Sequence, residues 1–239
     1  RAQKILRDMR DLRSAMASDL PFSGRLRLGV LPSIGPYLLP QVIHDIHRQQ
    51  PGLRVIVREE NTRDLERGLK SGQFDLIIST PEDHPNTHQR RLFNETLWVA
   101  VARDDILARS QTGVRAEDLR GRQLLTLDQG HRLSRIVYAL AADCGGIVSD
   151  DYEGTTLDSI VLMAASGIGV AILPELFTRR QAVFRDEVTV RPLQIANANR
   201  DIALLARGQD TLGAGHDMLI SALHGAAQTL GLALRGIER

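Results

Sequence analysis

Cysteine is nearly absent: Cys144 stands alone in a chain of 239 residues. One thiol cannot close an intrachain disulfide, and such usage fits a reducing compartment. Lysine is scarce too. Only Lys4 and Lys70 occur, so the 30 basic residues are almost all arginine, and 29 acidic residues leave a formal charge of +1. Phosphate binding calls for a net basic stripe, so this surface is not expected to grip nucleic acid by itself. The longest uncharged stretch, Ser159 to Pro174, falls short of the roughly 18 apolar residues of a membrane span, and Ser166, Gly167 and Gly169 interrupt it. The opening ten residues are charged with no apolar run behind them, which points away from a secretory leader and towards the cytoplasm. No GxSxG elbow, Walker A sequence, HExxH or GxGxxG is present. An enzyme is therefore the least expected class, and no cofactor is expected.

What is present is ordinary globular composition, 43% hydrophobic and 25% charged. The length suits one large domain or two small ones. Ile5, Met9, Leu12 and Met16 form a seam at helical spacing over residues 1–19. A regular alternation follows. Strands are expected at Arg25–Val30, Leu53–Glu59 and Phe74–Ser79, with helices at Pro36–Gln50 and Thr62–Ser71 between them. This β-α-β-α-β order predicts a parallel sheet. A polar stretch from Pro81 to Arg91 breaks the pattern. Further strands are expected at Leu97–Ala102, Gln123–Leu127, Val170–Pro174 and Asp201–Ala206, with helices at Arg132–Ala142, Leu157–Ser166 and Gly215–Leu232. Two α/β lobes in series are implied, and the cleft between them is the default ligand site.

The candidate binding groups are those that end strands and begin helices. Ser33 follows the first strand, Thr62 follows the second and opens a helix, where an N-cap role alone would also explain it, and Thr80 ends the third strand. Gly130-His131-Arg132 opens another helix with two adjacent cationic side chains. His44 and His47 are spaced as a metal pair, but no third ligand is evident and a solvated helix face is the expectation. His84 and His88 are expected on the surface of a polar loop. Ser166 to Gly169 leads into a strand, so it reads as a tight turn and not as a phosphate cradle.

Three segments carry a resemblance: Leu31 to Pro40 (LPSIGPYLLP), Leu69 to Leu76 (LKSGQFDL) and Gly167 to Pro174 (GIGVAILP). The chain resembles the effector-binding domain of LysR-type transcriptional regulators along its whole length, and is most similar to their peroxide-sensing OxyR subfamily. The resemblance implies a periplasmic-binding-protein-like α/β fold of two lobes joined by two crossover strands. Residues 1–23 would be the end of a linker helix, 24–95 and 204–239 lobe I, and 96–203 lobe II. It implies a small-molecule effector and pocket positions kept at Ser33, Thr62, His131 and Arg207; Ile34, Thr80 and Arg132 complete the expected ligand-binding set. It also implies a homodimer or homotetramer, DNA contacted through a winged helix-turn-helix outside this chain, and RNA polymerase as partner of the full-length protein.

One departure bears on mechanism. In the OxyR subfamily the residue after Gly-His is the peroxidatic cysteine, and a second cysteine follows nine positions later; here those positions hold Arg132 and Ala141. A guanidinium is neither a nucleophile nor oxidisable by that route. The expectation is a pocket that binds a small anionic guest, such as a carboxylate, instead of reacting with peroxide. A transporter's solute-binding protein, or an oxidative-stress regulator with another trigger, remain the alternatives.

Overall fold

A computed structural model describes residues 21–152, 154–180, 187–208 and 214–234. The expected helix over residues 1–19 lies outside the described residues. In chain order the first half holds β1 (Arg25–Val30), α1 (Gly35–Gln49), β2 (Arg54–Glu59), α2 (Thr62–Lys70), β3 (Leu76–Ser79), β4 (Thr87–Ala102) and β5 (Gln123–Leu125). Then come α3 (Arg132–Cys144), β6 (Ile147–Val148), α4 (Leu157–Ala165), β7 (Val170–Pro174), α5 (Glu175–Arg180), β8 (Val188–Pro192), β9 (Asn199–Arg207), α6 (Ala214–Thr229) and β10 (Ala233–Leu234). The chain divides into two compact units. The first takes the described residues up to Phe93 and from Asp201 onward, and the second takes Asn94–Arg200. β4 and β9 each pass from one unit into the other.

In the first unit β1 pairs in parallel with β2 (Leu26 beside Val55) and with β3 (Gly29 beside Ile77). Every residue of β3 is buried, which is why it reads as an unbroken apolar run. β9 returns antiparallel to β3, with Ile77 beside Leu205. α1 buries Leu38, Leu39, Val42 and Ile46, positions at helical spacing, and packs against α6. Each such side chain contributes about 1.5–3 kcal/mol of burial. α2 packs on β1 and β3.

His84 departs from its surface expectation. It is buried, with Nε2 3.0 Å from the Ser79 hydroxyl. Ser79 sits in a strand without solvent access, so its hydroxyl needs an internal partner and the imidazole supplies it. His88 is exposed, as are His44 and His47, and no cluster able to hold a metal occurs among the described residues.

In the second unit β4 is flanked by antiparallel β7 (Val99 beside Ile172) and β8 (Val99 beside Arg191). β5 pairs in parallel with β7 and β6. Gly167, with a φ of 83°, carries the turn from α4 towards β7. β4 starts ten residues earlier than the strand expected at Leu97. Its first five residues are polar and mostly exposed, so no apolar alternation marks them. β8 was not expected either: it is half-exposed, holds Arg191, and ends at Pro192.

Among the groups that depart from their ordinary ranges, Cys144 and His224 lead to direct measurements. Burial, and then the Asp143 carboxylate beside it, pushes the Cys144 thiol up. Thiolate is therefore scarce at neutral pH, and Cys144 is buried at the end of α3. Native protein is expected to react with a thiol-directed disulfide reagent only after unfolding, with one thiol released per chain on denaturation. His224 on α6 is shifted down, chiefly by burial, against a hydrogen bond to the Arg91 backbone that favours its charged form. The unfolded chain therefore takes up a proton that the folded chain resists. Stability is expected to fall as pH drops below the ordinary histidine value of 6.5. Urea midpoints between pH 7.5 and 5.5 should decline more steeply for wild type than for His224→Gln.

Candidate functional site

The strand ends of the first unit gather four of the expected residues. β1 ends at Val30, and a short turn carries Ser33 and Ile34 into α1, both buried. Ile34 is the N-cap of α1 and offers no side-chain hydrogen bond. The start of α1 is not empty of charge: Glu59 Oε1 lies 2.8 Å from where a Cβ on Gly35 would stand. Desolvation raises the pKa of this carboxyl. An incoming anion would meet it, so Ser33 and the first turn of α1 suit a neutral polar group better.

The alternative reading of Thr62 as an N-cap does not hold. Asn61 caps α2, its side chain accepting from Asp64 N at 3.0 Å. Thr62 becomes the first helical residue, 92% buried, and its Oγ1 has no hydrogen-bond partner. A buried hydroxyl without a partner costs roughly 1–3 kcal/mol. Thr80 is already engaged: its hydroxyl donates to Asp83 Oδ2 at 2.7 Å.

Arg207 is not brought to this end. Because β9 runs antiparallel to β3, the register that sets Ser79 beside Ala203 carries Arg207 level with Asp75, at the start of β3. Five residues of strand, roughly 17 Å, separate it from the level of Thr80. Its guanidinium instead covers the turn after α2, where a Cβ on Gly72 would lie 2.9 Å from Nη1.

The second unit builds its part around the start of α3. Asp128 shapes the approach, accepting from Gly130 N at 2.8 Å, and its carboxylate stands 3.5 Å from His131 Nε2. His131 is the N-cap, yet its side chain makes no capping bond to α3. The first turn of a thirteen-residue helix thus keeps its amides uncapped by a side chain at the positive end of the helix dipole. Arg132 is the first residue of α3 and half-buried. Two residues not anticipated from the sequence belong here. The hydroxyls of Thr126, just past β5, and Ser134, in the first turn of α3, are buried and without hydrogen-bond partners. Thr126 ends a strand as Thr80 does, so the same rule would have found it. Ser134 inside a helix carries no such signal.

A helix start, fixed positive charge and unpartnered hydroxyls are groups whose chemistry suits an anion or polar guest. Nucleophilic chemistry has no support in them: Cys144 lies at the other end of α3, and the His84–Ser79 pair is shut away from solvent.

The LysR substrate binding domain, as a family description, matches residues 21–228. A hydrogen peroxide-inducible genes activator of Dickeya chrysanthemi is 31% identical over 225 residues, which cover 93% of this chain and 73% of that protein. The DNA-binding transcriptional dual regulator OxyR of Escherichia coli is 30% identical with the same coverage. Among solved structures, the reduced form of OxyR is similar with a TM-score of 0.75 at 29% identity, over 85% of this chain and 96% of that one. A reduced form of OxyR from N. meningitidis shares the fold with a TM-score of 0.78 at 21% identity, over 89% and 99%.

Proposed function

The chain belongs to the family of LysR substrate-binding domains, and from that premise we propose that it senses a small anionic effector by holding it, not by oxidising a thiol. The observation that supports this most directly is Arg132 at the start of α3, with the buried, unpartnered hydroxyls of Thr126 and Ser134 in the same unit. The forked guanidinium suits a carboxylate, and the uncapped helix start adds to it. In the first unit the Thr62 hydroxyl has no partner, and Ser33 and Ile34 are buried at the start of α1. Thr80, bound to Asp83, shapes this end without donating to the guest. The domain works in the cytoplasm as part of a homodimer or homotetramer. A DNA-binding segment outside the chain and RNA polymerase complete its set of partners. An effector shifts that assembly only by binding one arrangement more tightly than the other.

Calorimetric titration with a panel of small carboxylates tests this reading on wild type, Arg132→Ala and Thr62→Val. At least one carboxylate is expected to bind, with affinity lost tenfold or more in Arg132→Ala, as for a charge-assisted hydrogen bond. Equal binding by wild type and Arg132→Ala would remove Arg132 from the site. A peroxide-induced change of assembly that Cys144→Ser abolishes would overturn the reading outright.

A further inference from the structure

Within the second unit, α3 lies along one wall of a half-open cavity of about 440 Å³, whose other wall is the segment 195–199 leading into β9. This is the size range of small-molecule sites. The α3 residues that line it, Arg132, Arg135, Ile136, Ala139 and Leu140, are spaced at three and four, so they form one stripe along the helix. The stripe is graded. Two guanidinium groups stand at its N-terminal end, where the helix dipole is also positive. Aliphatic side chains fill the middle, faced by Ile195 across the cavity. Asp143 closes the far end with the opposite sign. From Arg135 to Asp143 is about 12 Å of helix.

We propose that this groove is a second ligand site, sharing only Arg132 with the effector groups at the strand ends, and that it takes an amphipathic monocarboxylate. The carboxylate sits at Arg135 and Arg132, and an unbranched or flat apolar body lies over Ile136, Ala139 and Leu140. Asp143 fixes the direction: it repels a second carboxylate, so a dicarboxylate of matching length is rejected, and a cationic head group is turned away by the two arginines.

Octanoate is the probe, titrated calorimetrically against the whole chain, with butanoate and octylammonium as comparisons. Octanoate is expected to bind, and both comparison compounds at least tenfold more weakly. Ala139 is exposed, so Ala139→Trp fills the groove without disturbing the core and should abolish octanoate binding, while Ala139→Ser leaves it unchanged. Circular dichroism confirms that the tryptophan variant is folded. Arg135→Gln should weaken octanoate about tenfold. Thr62→Val should leave octanoate affinity unchanged, which separates this groove from the effector groups of the first unit. Absence of octanoate binding, equal binding of octylammonium, or binding that survives Ala139→Trp but falls in Thr62→Val would each overturn the proposal. So would an Ala139→Trp variant that loses its oligomeric state while still binding octanoate, since the groove would then belong to a second copy. Arg132 serves both sites, so Ala139→Trp and Arg135→Gln decide the groove, whereas a small carboxylate that Arg132→Ala weakens and Ala139→Trp leaves bound reads the effector groups alone.

Discussion

Arg200→Ala is expected to lower the unfolding free energy by about 3–5 kcal/mol, close to the whole stability margin of many domains. Arg200 and Glu95 are 4% and 0% exposed, and the arginine Nε donates to Glu95 Oε1 at 2.7 Å. The second carboxylate oxygen, Oε2, accepts from Leu176 N at 2.9 Å. Truncating the arginine leaves an ionised carboxylate in a site that water does not reach, and that desolvated charge is the source of the cost. The pair itself is worth much less, because both charges gave up hydration to form it. Replacing both partners by methionine should therefore restore most of the loss. The remaining deficit would be roughly 1–3 kcal/mol, from the Leu176 amide left without its acceptor. Urea unfolding followed by circular dichroism, on both single variants and the double variant, gives the coupling energy. A double variant no more stable than Arg200→Ala would mean that shape, not charge, dictates the site.

Phe74→Ala should cost a comparable amount, about 3–5 kcal/mol, from lost apolar burial and the cavity left behind. Phe74 is 2% exposed, and two glycines let its ring into the first unit. A Cβ on Gly68 would lie 2.4 Å from its Cε2, and one on Gly29 2.9 Å from its Cδ2. No real Cβ sits that close, so Gly68→Ala alone should destabilise by about 1–3 kcal/mol through crowding. Phe74→Leu removes the ring edge that the new methyl strikes. Gly68→Ala combined with Phe74→Leu should thus cost less than the sum of the two single changes, a difference that a double-mutant cycle in urea reads directly. Strict additivity would show that helix propensity or backbone entropy at Gly68, and not contact with Phe74, governs the position.

Much of the first unit is legible from the sequence because its segments are periodic in the simplest way. Leu38, Leu39, Val42 and Ile46 announce a helix face, and Leu76 to Ile78 announce a doubly buried strand. The second unit hides more. β8 faces solvent along part of its length, and the first half of β4 is polar, so neither carries an apolar signal. At the site, spacing finds which residues end strands but not which way a strand runs. Arg207 ends β9 as Thr80 follows β3, yet the antiparallel return puts them at opposite ends of the sheet. Local competition is equally invisible: Asn61 and Thr62 are both good caps, and only the geometry of the turn gives Asn61 the amide of Asp64. Thr62 is left with the unanswered hydroxyl.

The second unit is a single uninterrupted stretch of chain inserted between Phe93 and Asp201. Its own ends are tied together by the hydrogen bond from Asn94 Nδ2 to Asn199 Oδ1 at 3.1 Å, and Arg91 pairs with Asp201 where the first unit resumes. Both cut points are therefore adjacent in space. A gene encoding residues 94–200 alone specifies a module whose termini already meet, and the host left behind needs only a few residues of glycine-rich bridge from Phe93 to Asp201 to be rejoined. Entry to and exit from the second unit therefore share one place in the chain's path, on β4 and β9.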